Sequence, residues 1–385
     1  GAAAMAAGIT WSEAAGGDKS MNIDLREMLR QLPVGSYSLT LSVLDLQRQY
    51  VVRRLDITLV PDMEVQTDPV NLSGVWARHA TVSARYNTAT EPAGMTIQYR
   101  RTGEEAWTEF PADGLVKDGT AFSAVLTGLE PATEYEVRAI TAAEQKDENI
   151  QKFTTEAAEQ LPNFNFDSWC KDGKSWYANA DMESNYFWDS GNKGANTLSE
   201  VNPTSPEETF VVSVKAVRME SKYVIMAFAG GNIYSGSFGA VSIPGASINF
   251  GRPYACRPAA LHGWYSYAPK EINRTKAPYD NLKGTMDIGK IYVALTDWSS
   301  PFNVNTNTGT FFDPASDAVI AYGELEISDN SNGEYKEFTI NLDYRDLTRK
   351  PTHVLVVATA SKYADYFTGG EGSKLYIDEF EFIFE

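Results

Sequence analysis

Leu375-Tyr376-Ile377-Asp378-Glu379-Phe380-Glu381-Phe382-Ile383-Phe384-Glu385 closes the chain and reads as one long β-strand beginning at Lys374. Successive side chains of a strand point to opposite faces. Tyr376, Asp378, Phe380, Phe382 and Phe384 then share one face, and Leu375, Ile377, Glu379, Glu381 and Ile383 the other. Three phenylalanines mark the first face for the core, and Asp378 sits in its middle. A buried carboxylate is costly unless paired, strongly hydrogen-bonded or bound to a metal. Two readings stay open. A bulge shifts the phase of the strand here, or Asp378 has a partner, which is either a set of hydrogen-bond donors or a structural cation.

The chain of 385 residues is long enough for two to four domains. Its net charge of -18 argues against nucleic acid, where affinity comes mainly from cationic neutralisation of phosphates. The same charge argues against anionic membrane surfaces and is compatible with Ca²⁺ or neutral ligands. Aromatic residues make up 12% of the chain, enough both to fill cores and to supply stacking faces. No run of about 18 apolar residues occurs, so no segment reads as a bilayer span. The start, Gly1 to Gly8, reads as a low-complexity leader, and the export route is not legible from it. Cys170 and Cys256 are the only cysteines; their spacing fits a disulfide or two buried thiols equally and forms no metal or redox motif.

Three β-rich blocks follow one another. In residues 1–62, Asp24–Gln31 reads as a short helix with Leu25, Met28 and Leu29 on one side. Pro33 and Gly35 punctuate the chain, Tyr37, Leu39, Leu41 and Val43 alternate, a polar turn falls near Asp45 to Arg48, and a strand runs from Tyr50 to Val60. The stretch from Leu32 to Asp45 resembles the last strands of an immunoglobulin-like domain, which implies a partial module whose beginning lies upstream.

In residues 63–157, Val82, Ala84 and Tyr86 alternate, as do Ile97, Tyr99 and Arg101. Gly128-Leu129-Glu130-Pro131-Ala132-Thr133-Glu134-Tyr135 resembles a fibronectin type III domain through Leu129, Pro131 and Tyr135. In that family the tyrosine hydroxyl ties its strand back to the preceding loop. The resemblance implies a spacer rather than a catalytic module.

Residues 158–385 hold five of the eight tryptophans (Trp169, Trp176, Trp188, Trp264, Trp298); the others are Trp11, Trp76 and Trp107. Short apolar alternations broken by Gly, Asn and Ser predict an all-β sandwich. The best strands are Val211–Val217, Tyr223–Phe228, Ile291–Leu295, Phe338–Leu342 and His353–Thr359, and no 11-residue stretch keeps a helical stripe.

No nucleophile elbow, zinc-protease motif or phosphate loop is present. His79, His262 and His353 lie in separate segments without ligand spacing, and His353 falls in an apolar strand. A glycosidase needs only two carboxylates at a suitable separation, for which Asp297, Asp313, Asp317 and Glu324 are candidates, although acids are abundant enough to pair by chance. The aromatic clusters carry more information. Sugars present apolar C–H faces and hydroxyl edges, so flat rings beside Asn, Asp or Arg suit them. Trp188-Asp189-Ser190-Gly191-Asn192 has that composition, as do Trp264 and Tyr265 taken with Arg257. We therefore expect ligand contacts at Trp188, Asn192, Arg257, Trp264 and Tyr265, against the plain alternative that each ring packs in the core.

Phe164-Asn165-Phe166-Asp167-Ser168-Trp169 followed by Phe187-Trp188-Asp189-Ser190-Gly191-Asn192 resembles the opening of the carbohydrate-metabolism domain family of gut-type Gram-negative anaerobes. Tyr234–Gly239, Arg257–Tyr265, Ser361–Gly370 and Gly372–Phe380 continue the resemblance through nearly the whole third block. It implies a glycan-linked lipoprotein of the periplasm or outer cell surface, lipid-anchored upstream, with no established reaction. The closing motif also resembles the end of jelly-roll carbohydrate-binding modules, whose last-strand aspartate holds a structural Ca²⁺; carried over, that role falls to Asp378, with Asp167 as its nearest partner. The expectation is an all-β multidomain protein with a C-terminal jelly roll that binds an oligo- or polysaccharide. A hydrolase using a carboxylate pair and an adhesion or pilus-like structural component are the alternatives. A lined groove favours binding, two carboxyls across a cleft favour hydrolysis, and no groove favours the third.

Overall fold

In the computed structural model, the described residues are 8–13, 19–25, 29, 32–33, 35–44, 50–59, 63–225, 227–242 and 245–385. The protein is all-β. Near the N-terminus Gly8–Glu13 pairs with Lys19–Asp24, and Gly35–Leu44 pairs with Tyr50–Leu59, both antiparallel. The helix expected over Asp24–Gln31 falls largely outside the described residues, as does the turn at Asp45 to Arg48; within the former, Leu29 N donates to Leu25 O at 2.9 Å.

Two four-stranded sheets follow. One orders Val65–Thr67, His79–Tyr86, Ala121–Thr127 and Val116–Asp118; the other orders Gln151–Thr154, Glu134–Ile140, Thr96–Arg101 and Thr108–Glu109. Their alternating residues Val82, Ala84, Ile97, Phe122, Leu126 and Val137 interdigitate into one core. Tyr135 closes the corner, its hydroxyl accepting from Glu130 N at 2.9 Å.

The C-terminal part is a sandwich of a nine-stranded and a five-stranded sheet. The larger orders Phe302–Asn305, Gly245–Phe250, Asn232–Ser242, His353–Thr359, Gly289–Thr296, Val319–Ile327 and Asp343–Tyr344, with Trp188–Asp189 and Arg252–Pro253 joined to its middle strands. The smaller orders Thr204–Glu207, Ala216–Glu220, Lys374–Ile383, Ala260–Ala268 and Lys336–Asn341. Between the sheets lie Ile291, Val293, Leu295, Val354 and Val356 from one side and Leu261, Leu375, Ile377, Phe380 and Phe382 from the other. The larger sheet also buries its second face: Tyr234, Phe250, Ala294, Leu355 and Val357 pack beneath Trp298, Phe302, Phe311 and Phe312. His353–Thr359 is consequently buried on both faces, which is why it reads as a continuous apolar run.

The closing strand corrects the expected phase. Leu375 and Ile377 face the core, then Phe380 and Phe382 do, so the alternation flips between them. The flip is a bulge: Trp264 pairs with Asp378 but His262 pairs with Glu381, so Gly263 stands opposite two residues. Glu379 takes a left-handed φ of 48° to make it. A Cβ on Gly263 would lie 2.4 Å from Phe380 Cδ1, so the bare glycine makes room for the ring that the bulge brings inward. Asp378 therefore does not share a face with Phe380. It is fully buried and also has partners: Oδ2 accepts from Val212 N at 2.6 Å, and Oδ1 accepts from Glu379 N at 2.9 Å.

Those bonds explain a second departure. Val211–Val217 is not a strand until Ala216, because the amides that would join a ladder are directed elsewhere. Val212 N goes to Asp378 and Lys215 N goes to Asp167 Oδ1 at 3.0 Å. Tyr223–Phe228 splits into Lys222–Val224 and Ala227–Ala229, which pair with each other. A seven-residue helix, Asn192–Leu198, packs beside the larger sheet. Cys170 and Cys256 are free thiols.

Candidate functional site

A trough runs over the outer face of the nine-stranded sheet. Its first part is a cavity of about 230 Å³ lined by Tyr279, Tyr292, Phe311, Tyr363, Asp365 and Tyr366 among others. An apolar cavity of about 390 Å³ adjoins it, sharing Asn232, Ile248, Ala364 and Asp365 and adding Phe228, Phe238 and Phe367. A third hollow of about 440 Å³ shares Ala227, Phe228 and Phe367 with the second.

The segment from Ser361 to Ser373 supplies the ridge between these spaces, and a buried carboxylate holds it. Asp287 is wholly buried, and its Oδ2 accepts from Ser361 Oγ at 2.6 Å, Gly370 N at 2.7 Å and Ser373 Oγ at 2.9 Å. Both ends of the loop are thus fixed to one group. Burial raises the Asp287 carboxyl above its ordinary range, against the pull of those donors. Gly369 exchanges two backbone bonds with Arg274, and Thr368 Oγ1 accepts from Lys276 N at 3.0 Å, so the loop is also attached to the 273–276 segment.

On this support four half-buried rings converge. Tyr279 lies 4.4 Å from Tyr363 and 4.9 Å from Tyr366 between ring centres, and Phe311 lies 4.5 Å from Tyr366. None of the four belongs to a regular strand. Polar groups border them: Lys362 Nζ meets Glu326 at 2.5 Å, and Lys290 Nζ meets Glu324 at 2.7 Å. Asp365 stands where the first two cavities meet, without an ion-pair partner among the described residues. The residue as a whole is exposed, yet crowding by protein on the cavity side pushes its carboxyl up to about 6. The rim thus offers apolar ring faces beside ammonium, carboxyl and hydroxyl groups.

The residues singled out from sequence lie elsewhere. Trp188 is only 1% exposed, stacked on Phe164 at 5.7 Å, with Nε1 donating to Pro162 O at 2.7 Å. Asn192 is fully buried and bonds Trp176 O and Thr204 O at 2.9 and 2.7 Å, pinning the helix to two strands. Arg257 is buried where the two sandwiches meet, bonded to Glu156 Oε2 and Val75 O at 2.8 Å each and stacked over Trp76. Neither ring face nor fork of these three is open to a ligand. Tyr265 packs against the core beside Phe338, and Trp264, half-buried, is on the outward side of the five-stranded sheet, away from the trough. The fold uses Trp188, Asn192, Arg257 and Tyr265 to close its cores and their junction, Trp264 stays on the outward face of the smaller sheet, and the open rings of the trough come from loops instead.

Asp167 and Asp378 are brought to one segment, 212–215, but their surroundings do not fit Ca²⁺. That ion takes six to eight oxygen ligands. The groups aimed at these carboxylates are N–H donors: Val212, Ser213 and Glu379 amides on Asp378, the Lys215 amide and Asn165 Nδ2 on Asp167. Their protons would face the ion. Among the described residues no group of three or more His, Cys, Asp or Glu is placed to hold a metal.

Of the candidate acids, Asp297 pairs with Arg349, Asp313 caps its own turn, and the backbone carbonyl of Asp317 accepts from Arg349. Only Glu324 borders the trough, through Lys290 and the Tyr322 hydroxyl. His79 stacks on Trp76, His262 sits between Glu337 and Glu381, and His353 bonds Thr352 Oγ1.

The family model described as "Putative carbohydrate metabolism domain" matches residues 165–383. The chain belongs to that family. The carbohydrate metabolism domain thus contains the whole trough and the loops that line it. No curated protein matches the chain significantly. Among solved structures, a putative glycoside hydrolase from Bacteroides thetaiotaomicron is 20% identical, covering 85% of this chain and 98% of its own, with a TM-score of 0.48. A second, from Bacteroides vulgatus, is 21% identical over 58% of this chain and 97% of its own, with a TM-score of 0.44. A carbohydrate-binding module of the β-sandwich superfamily is 9% identical, covering 85% of this chain and all of its own at 100%, with a TM-score of 0.24. No helix among the described residues is long and apolar enough to cross a membrane.

Proposed function

We propose that the carbohydrate metabolism domain binds a glycan in the trough, with Tyr279, Tyr363, Tyr366 and Phe311 as its stacking platform. The observation that carries this reading is the convergence of four half-open rings, 4.4 to 4.9 Å apart, beside Lys290, Lys362 and Asp365. Sugar rings expose C–H faces that cover aromatic surface and hydroxyls that need donors and acceptors, and this rim has both. Residues 1–62 and 63–157 act as an immunoglobulin-like and a fibronectin type III-like spacer. They hold the binding domain away from an outer-surface or periplasmic anchor on an exported lipoprotein. A glycan array probed with the full chain tests the reading: a hit whose signal falls with Tyr366→Ala supports it, and no hit, or hits indifferent to that change, contradicts it.

Hydrolysis is the second reading, favoured by Asp365 and Glu324. Glu324 stands opposite Tyr292 in strand register, and Tyr292 and Asp365 line the same cavity. Their acidities diverge. Asp365 is pushed up to about 6, whereas for Glu324 burial is outweighed by Lys290 and Tyr322, which hold it below the usual carboxylate range. Below about pH 6 Asp365 holds its proton while Glu324 stays ionised, and such a pair bordering one cavity is the arrangement a glycosidase uses for its acid and its base or nucleophile. Reducing-end release from a bound glycan, abolished by Asp365→Asn and by Glu324→Gln, is the expected outcome; turnover by both variants removes the reading.

A further inference from the structure

The third hollow differs from the rest of this acidic protein. Three of its lining residues, Arg274, Lys276 and Lys283, are cationic and none is acidic, in a chain of net charge -18. Such a reversal of sign in a concave surface concentrates anions. The cations are also held in place. Arg274 lies with its guanidinium 3.8 Å from the centre of the Tyr223 ring, and its backbone is bonded on both sides to Gly369. Lys276 is fixed through Thr368, and its Nζ sits 4.6 Å over the Phe367 ring.

Their charges are only partly answered. Arg274 Nη2 reaches Glu371 at 3.2 Å, a half-exposed pair that an incoming anion would displace. Arg274 Nε is buried with no acceptor. Lys276 and Lys283 have no carboxylate within ion-pair distance among the described residues. Planar Arg beside two Lys suits an oxyanion, with the guanidinium fork taking two oxygens at once. The hollow adjoins the apolar second cavity through Phe228 and Phe367, and that cavity adjoins the aromatic platform through Ala364 and Asp365, so a glycan chain long enough to cross the second cavity reaches from the rings into the hollow.

We infer that Arg274, Lys276 and Lys283 form a subsite for the anionic group of an acidic glycan, a uronate carboxylate or a sulfate ester. This rests on the glycan-binding reading and deepens it. The test is affinity electrophoresis of the full chain through gels holding polygalacturonate, its carboxyl-reduced form, chondroitin sulfate or desulfated chondroitin. The expected result is retardation by an acidic polymer that weakens at least tenfold in the Lys276→Gln/Lys283→Gln variant and declines with salt. Loss on carboxyl reduction assigns a uronate, and loss on desulfation assigns a sulfate. Equal retardation by acidic and neutralised polymers, or an unchanged double variant, overturns the subsite. If Tyr366→Ala still abolishes binding to the reduced polymer in that case, the glycan platform stands without it. Should no polymer retard the chain and no array glycan bind it, both readings fall.

Discussion

Arg257 and Glu156, 101 residues apart in the chain, form a buried ion pair at 2.8 Å where the two sandwiches meet. The other guanidinium nitrogens donate to Leu347 O and Val75 O, and Arg78 N reaches Glu385 O at 2.9 Å across the same junction. The arginine that composition marked as a sugar contact is a rivet between the two sandwiches. Without Arg257, Glu156 keeps only the exposed Lys350 at 3.4 Å as a counter-charge, and breaking a buried pair by removing one partner costs about 3–5 kcal/mol. Arg257→Ala should lower the unfolding free energy by that order in a denaturant titration. A change within a few tenths of a kcal/mol would show that the pair is solvated and the junction loose.

Gly263 gives a second expectation. Alanine there sets a Cβ against the Phe380 ring, 2.4 Å away with no shift of either. Overpacking of this kind costs about 1–3 kcal/mol. Gly263→Ala should lower the melting temperature, and pairing it with Phe380→Leu should recover part of the loss. Additive losses would mean that the bulge does not depend on that contact.

Asp378 separates metal from hydrogen bonding. Because its partners are amide protons, EDTA and Ca²⁺ should give the same melting curve. Asp378→Asn, which keeps the size but replaces one acceptor oxygen with an amide NH2 donor facing backbone N–H, should cost about 1–3 kcal/mol. A melting temperature raised by Ca²⁺ in the wild type and not in Asp378→Asn would restore the cation site.

Asp365 sets a pH dependence. Its carboxyl rises from 3.8 to about 6 in the folded protein, so the fold binds the proton more tightly than the unfolded chain. Its stabilising contribution is complete below pH 3.8 and is lost as pH rises through about 6. Asp189, Asp287 and Asp378 are also raised by burial and act in the same direction. Subtracting the pH–stability profile of Asp365→Asn from that of the wild type should leave a falling step between those two values. A flat difference would place the carboxyl in open water.

Strand periodicity made the fold class readable. Ile291–Leu295 and His353–Thr359 are strands because their apolar runs fill a sheet buried on both faces. The anomaly at Asp378 was visible too, but not its resolution. The bulge depends on a left-handed Glu379 and on a glycine 116 positions upstream, a contact that local sequence does not encode. The site was harder to read for a related reason. Trp188-Asp189-Ser190-Gly191-Asn192 and Tyr363-Ala364-Asp365-Tyr366-Phe367 have the same kind of composition. What separates them is whether distant residues cover the rings: Phe164, Phe166 and Phe187 enclose Trp188, whereas Asp287 holds the second segment out as a ridge. The signal available was the crowding of aromatics before Gly369-Gly370 in a stretch without strand alternation.

Isothermal titration of the best array glycan into Tyr363→Ala/Tyr366→Ala and into Trp264→Ala separates the trough from the five-stranded sheet as the glycan's seat. Central aromatic contacts cost about 2 kcal/mol each on truncation, roughly a thirtyfold loss per ring. The double tyrosine variant should lose at least thirtyfold in affinity while keeping the wild-type melting curve, and Trp264→Ala should bind as the wild type does. Full affinity in the tyrosine variant, with binding lost at Trp264, would place the glycan on the five-stranded sheet and contradict the trough.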